Sequence, residues 1–109
     1  MAENYSVLAQ SNPGAATLTD ALTVAASTQI VVASIVVANR AGAGTTFRIS
    51  IAVAGAGDDN KQYIRYDKAI AANADEDVKV GITLATTDVV RVYATLATLS
   101  FNIFGAKIT

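Results

Sequence analysis

Alternation of apolar and polar residues dominates this chain. In TTFRISIAVA, residues 45–54, Phe47, Ile49, Ile51 and Val53 fall on one side of an extended segment and Thr46, Arg48 and Ser50 on the other. That period of two predicts a half-buried β-strand. It recurs in EDVKVGITL, with Val78, Val80, Ile82 and Leu84 inward, and in LSFNIFG, with Leu99, Phe101 and Ile103 inward. DVVRVYA buries Val90, Val92 and Ala94 and exposes Arg91, while KQYIRYD places Ile64 and Tyr66 opposite Tyr63 and Arg65. NYSVLAQ and the stretch from Leu18 to Val24 read as short strands, separated by a loop at Pro13 and Gly14.

QIVVASIVVANR breaks the alternation. Ile30, Val32 and Val36 fall on one face of an unbroken strand, and Val31, Ile35 and Val37 on the other. Each sheet of a two-layer sandwich has one face on the core and one toward water. A strand apolar on both faces therefore needs a second cover, either a partner molecule or a loop or the N-terminal segment of the same chain. The candidate contact residues on this reading are Tyr5, Val7 and Leu8 near the N-terminus and Ile30, Val31, Val32, Ile35 and Val37 in the doubly apolar strand.

Turn-forming clusters separate the strands: NRAGAG, GAGDDN, AANADED and ATTD. About eight short strands without a helical period predict an all-β, single-domain antiparallel β-sandwich, jelly-roll or immunoglobulin-like. Residues 1–16 form an N-terminal arm or an edge strand with its loop, and residues 17–109 the sandwich domain. AGAG occurs at 41–44 and again at 54–57, too local for a solenoid repeat.

Composition narrows the chemistry. The chain of 109 residues is 52% hydrophobic but only 6% aromatic, so its core must be assembled from small aliphatic side chains with a few aromatic anchors. A net charge of −1 with no basic cluster offers no counterion-release contribution, which speaks against a nucleic-acid partner. The longest apolar stretch, interrupted by Ser34, is far short of the roughly 20 residues of a membrane-spanning helix, and the first ten residues lack the pattern of an export signal. A soluble protein with no membrane partner is expected.

With no His and no Cys, the usual nucleophile–base pairs and the commonest zinc and copper ligands are missing. No catalytic, cofactor-binding or metal-binding residue is assigned, and no enzyme is expected. The acidic turns at Asp58–Asp59 and Asp75–Asp77 would offer calcium oxygen ligands only if they met in space; otherwise they are solvated turns. The Gly55–Gly57 stretch, followed by two carboxylates, is a poor phosphate cradle. Tyr63, Tyr66 and Tyr93, interleaved with Arg65 and Arg91, would make a stacking platform for bases or sugars if they converged, or an ordinary sheet face otherwise.

The succession IVVASIVVANRAGAGTTFRISIAVAGAG, YDKAIAANADE and GITLATTDVVRVYATLATLSFNIFG resembles a family of small β-rich virion proteins of tailed bacteriophages. The shared positions are Val37 with Asn39, Thr45 with Phe47, the turn Ala69 to Asn73, Leu84 with Asp88, Val90 and Val92, and Gly105. The resemblance spans about residues 17 to 105, on turns and core positions rather than a catalytic signature. It implies a structural virion part assembled in the host cytoplasm. The favoured form is a decoration or cement protein on the head surface, a homo-oligomer, with a trimer favoured, that binds the major capsid protein and stabilises its contacts. The alternative is a tail or baseplate component that binds cell-surface glycan. No fibre repeat or adhesin domain follows Gly105, which favours the head.

Overall fold

The computed structural model describes residues 3–109, and the side chains of residues 4–109. Eight strands follow one another: β1 (Glu3–Ser11), β2 (Thr19–Thr23), β3 (Gln29–Asn39), β4 (Thr45–Ala52), β5 (Tyr63–Ile70), β6 (Asp75–Leu84), β7 (Val89–Ala94) and β8 (Leu99–Ile108). Single 3-10 turns at Val53–Gly55 and Asn60–Gln62 join β4 to β5.

The pairing has a simple logic. β4 pairs with β5, β3 with β6, β2 with β7 and β1 with β8, all antiparallel, as in one long hairpin bent at the β4–β5 connection. The hairpin is then rolled so that β8 also meets β3 and β7 also meets β4. Two four-stranded sheets result, β1-β8-β3-β6 (sheet A) and β2-β7-β4-β5 (sheet B). The all-β sandwich expected from the alternation is present, and this strand order is that of a jelly roll. The Cα envelope measures 45 × 28 × 19 Å.

Phe47 of sheet B and Phe101 of sheet A meet edge to face at the centre, with ring centroids 6.0 Å apart and planes at 75°, a favoured aromatic geometry. Ile35, Val37, Ile49, Val90, Val92, Leu99 and Ile103 complete a fully buried aliphatic shell. Val78 and Leu84 are buried as the alternation predicts, with Val80 and Ile82 packed against the same core.

β3 departs from the expected geometry. Its buried residues are Ile30 and Val32, then Ile35 and Val37, so the inward phase shifts from even to odd numbers between Val32 and Ser34. Against β8, Val32 faces Gly105 and Ser34 faces Phe104, so Ala33 is an extra residue, a β-bulge. The expected division into two apolar faces is therefore corrected: both apolar runs turn their larger share to the core. The bulge also accounts for Gly105. A Cβ built there would overlap the carbonyl oxygen of Val31 and come within 3.1 Å of the Ala33 nitrogen.

Two smaller corrections have local causes. Val53, expected inward, is 68% exposed because β4 ends at Ala52 and the chain enters a turn with Ala54 at φ 56°. Tyr66, expected opposite Tyr63, joins it on one face because two irregularities interrupt the β4–β5 register, one beside Asp67 at φ 49°. Of the alternatives for the N-terminal segment, residues 3–11 form the edge strand β1; residues 1 and 2 lie outside the described residues.

Two polar side chains tie the loops at opposite ends of the sandwich. At one end, Asn39 donates from Nδ2 to the carbonyls of Ala43 (2.8 Å) and Ala71 (3.1 Å). Its Oδ1 accepts from the Ala41 amide (3.2 Å) and the Thr98 hydroxyl (3.1 Å). One side chain thus links the β3–β4, β5–β6 and β7–β8 loops. At the other end Asp88, only 8% exposed, accepts from the amides of Ala54 (2.8 Å) and Ala85 (2.9 Å), while its own carbonyl accepts from Val24 (3.0 Å).

Two substitutions test these assignments by chemical denaturation. Gly105→Ala should cost about 1–3 kcal/mol, as overpacking does, whereas Gly42→Ala, with no atom within 4 Å of the added carbon, should be near neutral. Asp88→Ala, which leaves two loop amides without acceptors, should cost about 1–3 kcal/mol or more.

Candidate functional site

The register defines what each sheet shows to the outside. On sheet A, Ile103 is core, so its neighbour Phe104 points outward, paired with Val7 on one side and Ser34 on the other. Tyr5, Ala106 and Val31 form the next row, and Val36 lies opposite Asp77 farther along. Tyr5 is 78% and Val7 51% exposed, while Phe104, Val31 and Val36 are half-buried. An apolar band therefore crosses from the β1 edge to β3, flanked by the paired amides of Gln10 and Asn102 (2.8 Å) and by Asp77 and Lys79 on β6.

The eight residues singled out from the sequence separate accordingly. Tyr5, Val7 and Val31 lie on the outer face of sheet A. Ile30, Val32, Ile35 and Val37 are at most 3% exposed and belong to the core, and Leu8 packs against that core beside the register shift in β1. Leu8 and Ile30 also line a groove of about 280 Å³ where the β1 and β2 edges part. Phe104 and Ala106 were missed because LSFNIFG reads as an ordinary alternating strand; only pairing with β1 and β3 places them in the band.

Sheet B presents the opposite chemistry. Arg48 and Tyr93 face one another in register, and the Arg48 guanidinium lies between two rings, 4.2 Å from the centroid of Tyr66 and 4.4 Å from that of Tyr93. Asp67 accepts from Arg48 Nε at 2.7 Å, which holds the guanidinium still more firmly protonated than usual. Tyr63 stands edge to face on Tyr66, with centroids 5.0 Å apart, and donates its hydroxyl to Asp58 at 2.8 Å. Burial, reinforced by that hydrogen bond, raises the Tyr63 pKa above its ordinary value.

The three tyrosines thus converge as a platform requires, but around Arg48 rather than the arginines named with them. Arg91 donates to Asp20 (2.9 Å) and to the carbonyl of Ala56 (2.7 Å), and Arg65 to the carbonyl of Ile64 (2.8 Å). Alternation alone put Arg48 on the outer face; its position opposite Tyr93 depends on cross-strand register. The Gly55–Gly57 stretch turns carbonyls toward Arg91 instead of amides toward an anion.

The acidic turns do not meet. Asp59 caps the Asn60–Gln62 turn near the Asp88 end, whereas Asp75 begins β6 near the Asn39 end. Among the described residues, no three acidic side chains converge to hold a metal ion.

The tyrosine cluster makes a pH prediction. The folded protein holds the Tyr63 proton more tightly than the unfolded chain does. Its contribution to stability is therefore complete below the unfolded value, about pH 10, and is lost as pH rises through the higher folded value. Denaturant midpoints measured across this range should fall less steeply in Tyr63→Phe than in the parent protein.

No family model matches the chain, and no curated protein does.

Proposed function

We propose that this chain is a non-enzymatic structural protein of a bacteriophage virion, a decoration or cement protein that lies on the head and stabilises contacts between major capsid subunits. Two supports are independent of each other. One is the resemblance of residues 17–105 to small β-rich virion proteins, whose shared positions have clear structural roles here. Asn39 and Asp88 tie the loops, Phe47 centres the core and Gly105 admits the bulge. The other, which carries the reading, is the apolar band on the outer face of sheet A, from Tyr5 and Val7 through Phe104 to Val31 and Val36.

The physical case for docking rests on entropy and area. The half-buried side chains of the band already sit in a hydrogen-bonded sheet, so a partner that covers them orders little that is not ordered beforehand. Apolar area removed from water contributes about 25 cal/mol per Å². A flat contact of this kind, repeated over many copies, would add mechanical resistance to a shell without any reaction.

A tail or baseplate component that binds cell-surface glycan is the second reading, and one observation favours it. Tyr63, Tyr66 and Tyr93 gather around Arg48 on the outer face of sheet B, with the Tyr66 ring exposed and the other two half-buried, and aromatic rings beside polar groups suit the faces and hydroxyls of sugars.

Antibody raised against the purified protein, applied to intact phage particles and viewed by electron microscopy, separates the two. Label over the heads is expected; label confined to tails would favour the glycan reading, and no label on any particle would overturn the virion assignment. Val36→Lys, which sets an ammonium opposite Asp77 at the β3 end of the band, should keep the native unfolding midpoint but cease to co-sediment with heads.

A further inference from the structure

The four sheet edges are guarded unequally. β6 carries Asp75, Glu76, Asp77 and Lys79; β5 carries Arg65, Asp67 and Lys68 and two register irregularities; β2 has five residues, one of them Asp20, and a register shift of its own. Charges, short length and bulges are the usual devices that keep an edge from pairing with another strand. β1 differs. From Asn4 to Ser11 it carries no charge, its only acidic residue is Glu3 at the start, and its one register shift lies beyond Val7, leaving Glu3 to Val7 regular. Its exposed side chains include Tyr5 and Val7 on the outer face of sheet A.

We infer that β1 pairs with β1 of a second copy of this chain, antiparallel about a two-fold axis centred on Ser6. The chemistry of the strand selects this occupant and register. Residues opposite one another across an antiparallel pair share a face, so a two-fold pair of identical strands must be centred on a residue. Centring on Ser6 sets Tyr5 against the second copy's Val7 and Val7 against its Tyr5, all on the outer face. Aromatic against β-branched is a favourable cross-strand pair, and symmetry makes it twice. Glu3 then lies two residues beyond Tyr5, so the acidic residues of the two copies sit at opposite ends of the ladder. Self-pairing of β6 about its own middle would instead bring a strand with three acidic residues against a copy of itself.

With the axis perpendicular to the sheet, the two copies of sheet A become one continuous eight-stranded sheet, twice the four strands of each. Both outer faces then lie on the same side, and the two apolar bands join through the Tyr5 and Val7 pairs into a single wider surface. This goes beyond the docking reading: the pairing uses the edge of β1 and stands or falls whether or not a capsid is the partner. It also differs from the three-fold assembly that the virion resemblance favours.

Three measurements on the whole protein decide it. Sedimentation equilibrium should give twice the 11.2 kDa chain mass, and Val7→Lys should give the single-chain mass with an unchanged far-ultraviolet spectrum and thermal midpoint. The chain has no cysteine, so Ser6→Cys introduces one thiol, set against its own copy at the axis. The Cα separations of opposed antiparallel residues, about 4.5–5.5 Å, fall within the range a disulfide spans. Mild oxidation should therefore convert Ser6→Cys to a covalent dimer while Gln10→Cys, exposed on the same strand beyond the register shift, stays largely monomeric. A monomer or trimer mass for the parent protein would overturn the inference. So would an unchanged dimer mass in Val7→Lys, or equal cross-linking of the two cysteine variants.

Discussion

One extra residue in one strand decides which side chains this protein can bury. β3 lies inside sheet A, hydrogen-bonded to β8 on one side and β6 on the other, and its two apolar runs have opposite parity. A regular strand would bury Ile30 and Val32 and expose Ile35 and Val37, or the reverse. Burying an aliphatic side chain of this size contributes about 1.5–3 kcal/mol, so exposing either pair would forfeit several kcal/mol. Against that, a bulge costs one disrupted step in the ladder. Burial wins, and Ala33 becomes the inserted residue. The same step forces the backbones of β3 and β8 together and leaves room at residue 105 only for glycine.

A jelly roll has many connections for its size, and each brings backbone groups that need partners when the sandwich closes over them. Here two residues serve much of that demand. A carboxamide can donate twice and accept twice, and Asn39 does both, across three loops. Asp88 can only accept, and it takes the amides of two different connections, one on each oxygen. The Asp88 carboxylate is therefore a fastening for the turns. Charge is not required of Asn39, where donors and acceptors both converge; an acceptor-only group suits Asp88, where only amides do.

The legibility of the chain follows from how local each feature is. The inward sets of β6, β7 and β8 were readable because their alternation is uninterrupted, and eight strands followed from the turns between them. The bulge at Ala33 was visible only as a symptom, the doubly apolar run, and the symptom suggested a second cover, from a partner or from the same chain, where a shift of phase turns the larger share of both runs inward. The pairing of Arg48 with Tyr93, and the gathering of Phe104, Ala106 and Val31, depend on register between strands far apart in sequence. No single segment encodes such a match. Tyr66 was misplaced for the same reason as β3: irregularities in the β4–β5 ladder shift the phase of the side chains beyond them.

The two outer faces are finished by opposite means, and that contrast bears on where a partner can dock. On sheet B the charged and hydroxyl groups are largely paired among themselves: Arg48 with Asp67, Tyr63 with Asp58, Arg91 with Asp20, Thr46 with Thr95. A polar ligand there must either exchange those bonds for new ones of similar strength, with little net gain, or stack on the rings without disturbing them. On sheet A the band from Val7 through Phe104 to Val36 offers apolar surface to water, and covering it would release that water. A partner at sheet A would gain chiefly through shape and area, which suits a broad, flat contact more than a small molecule.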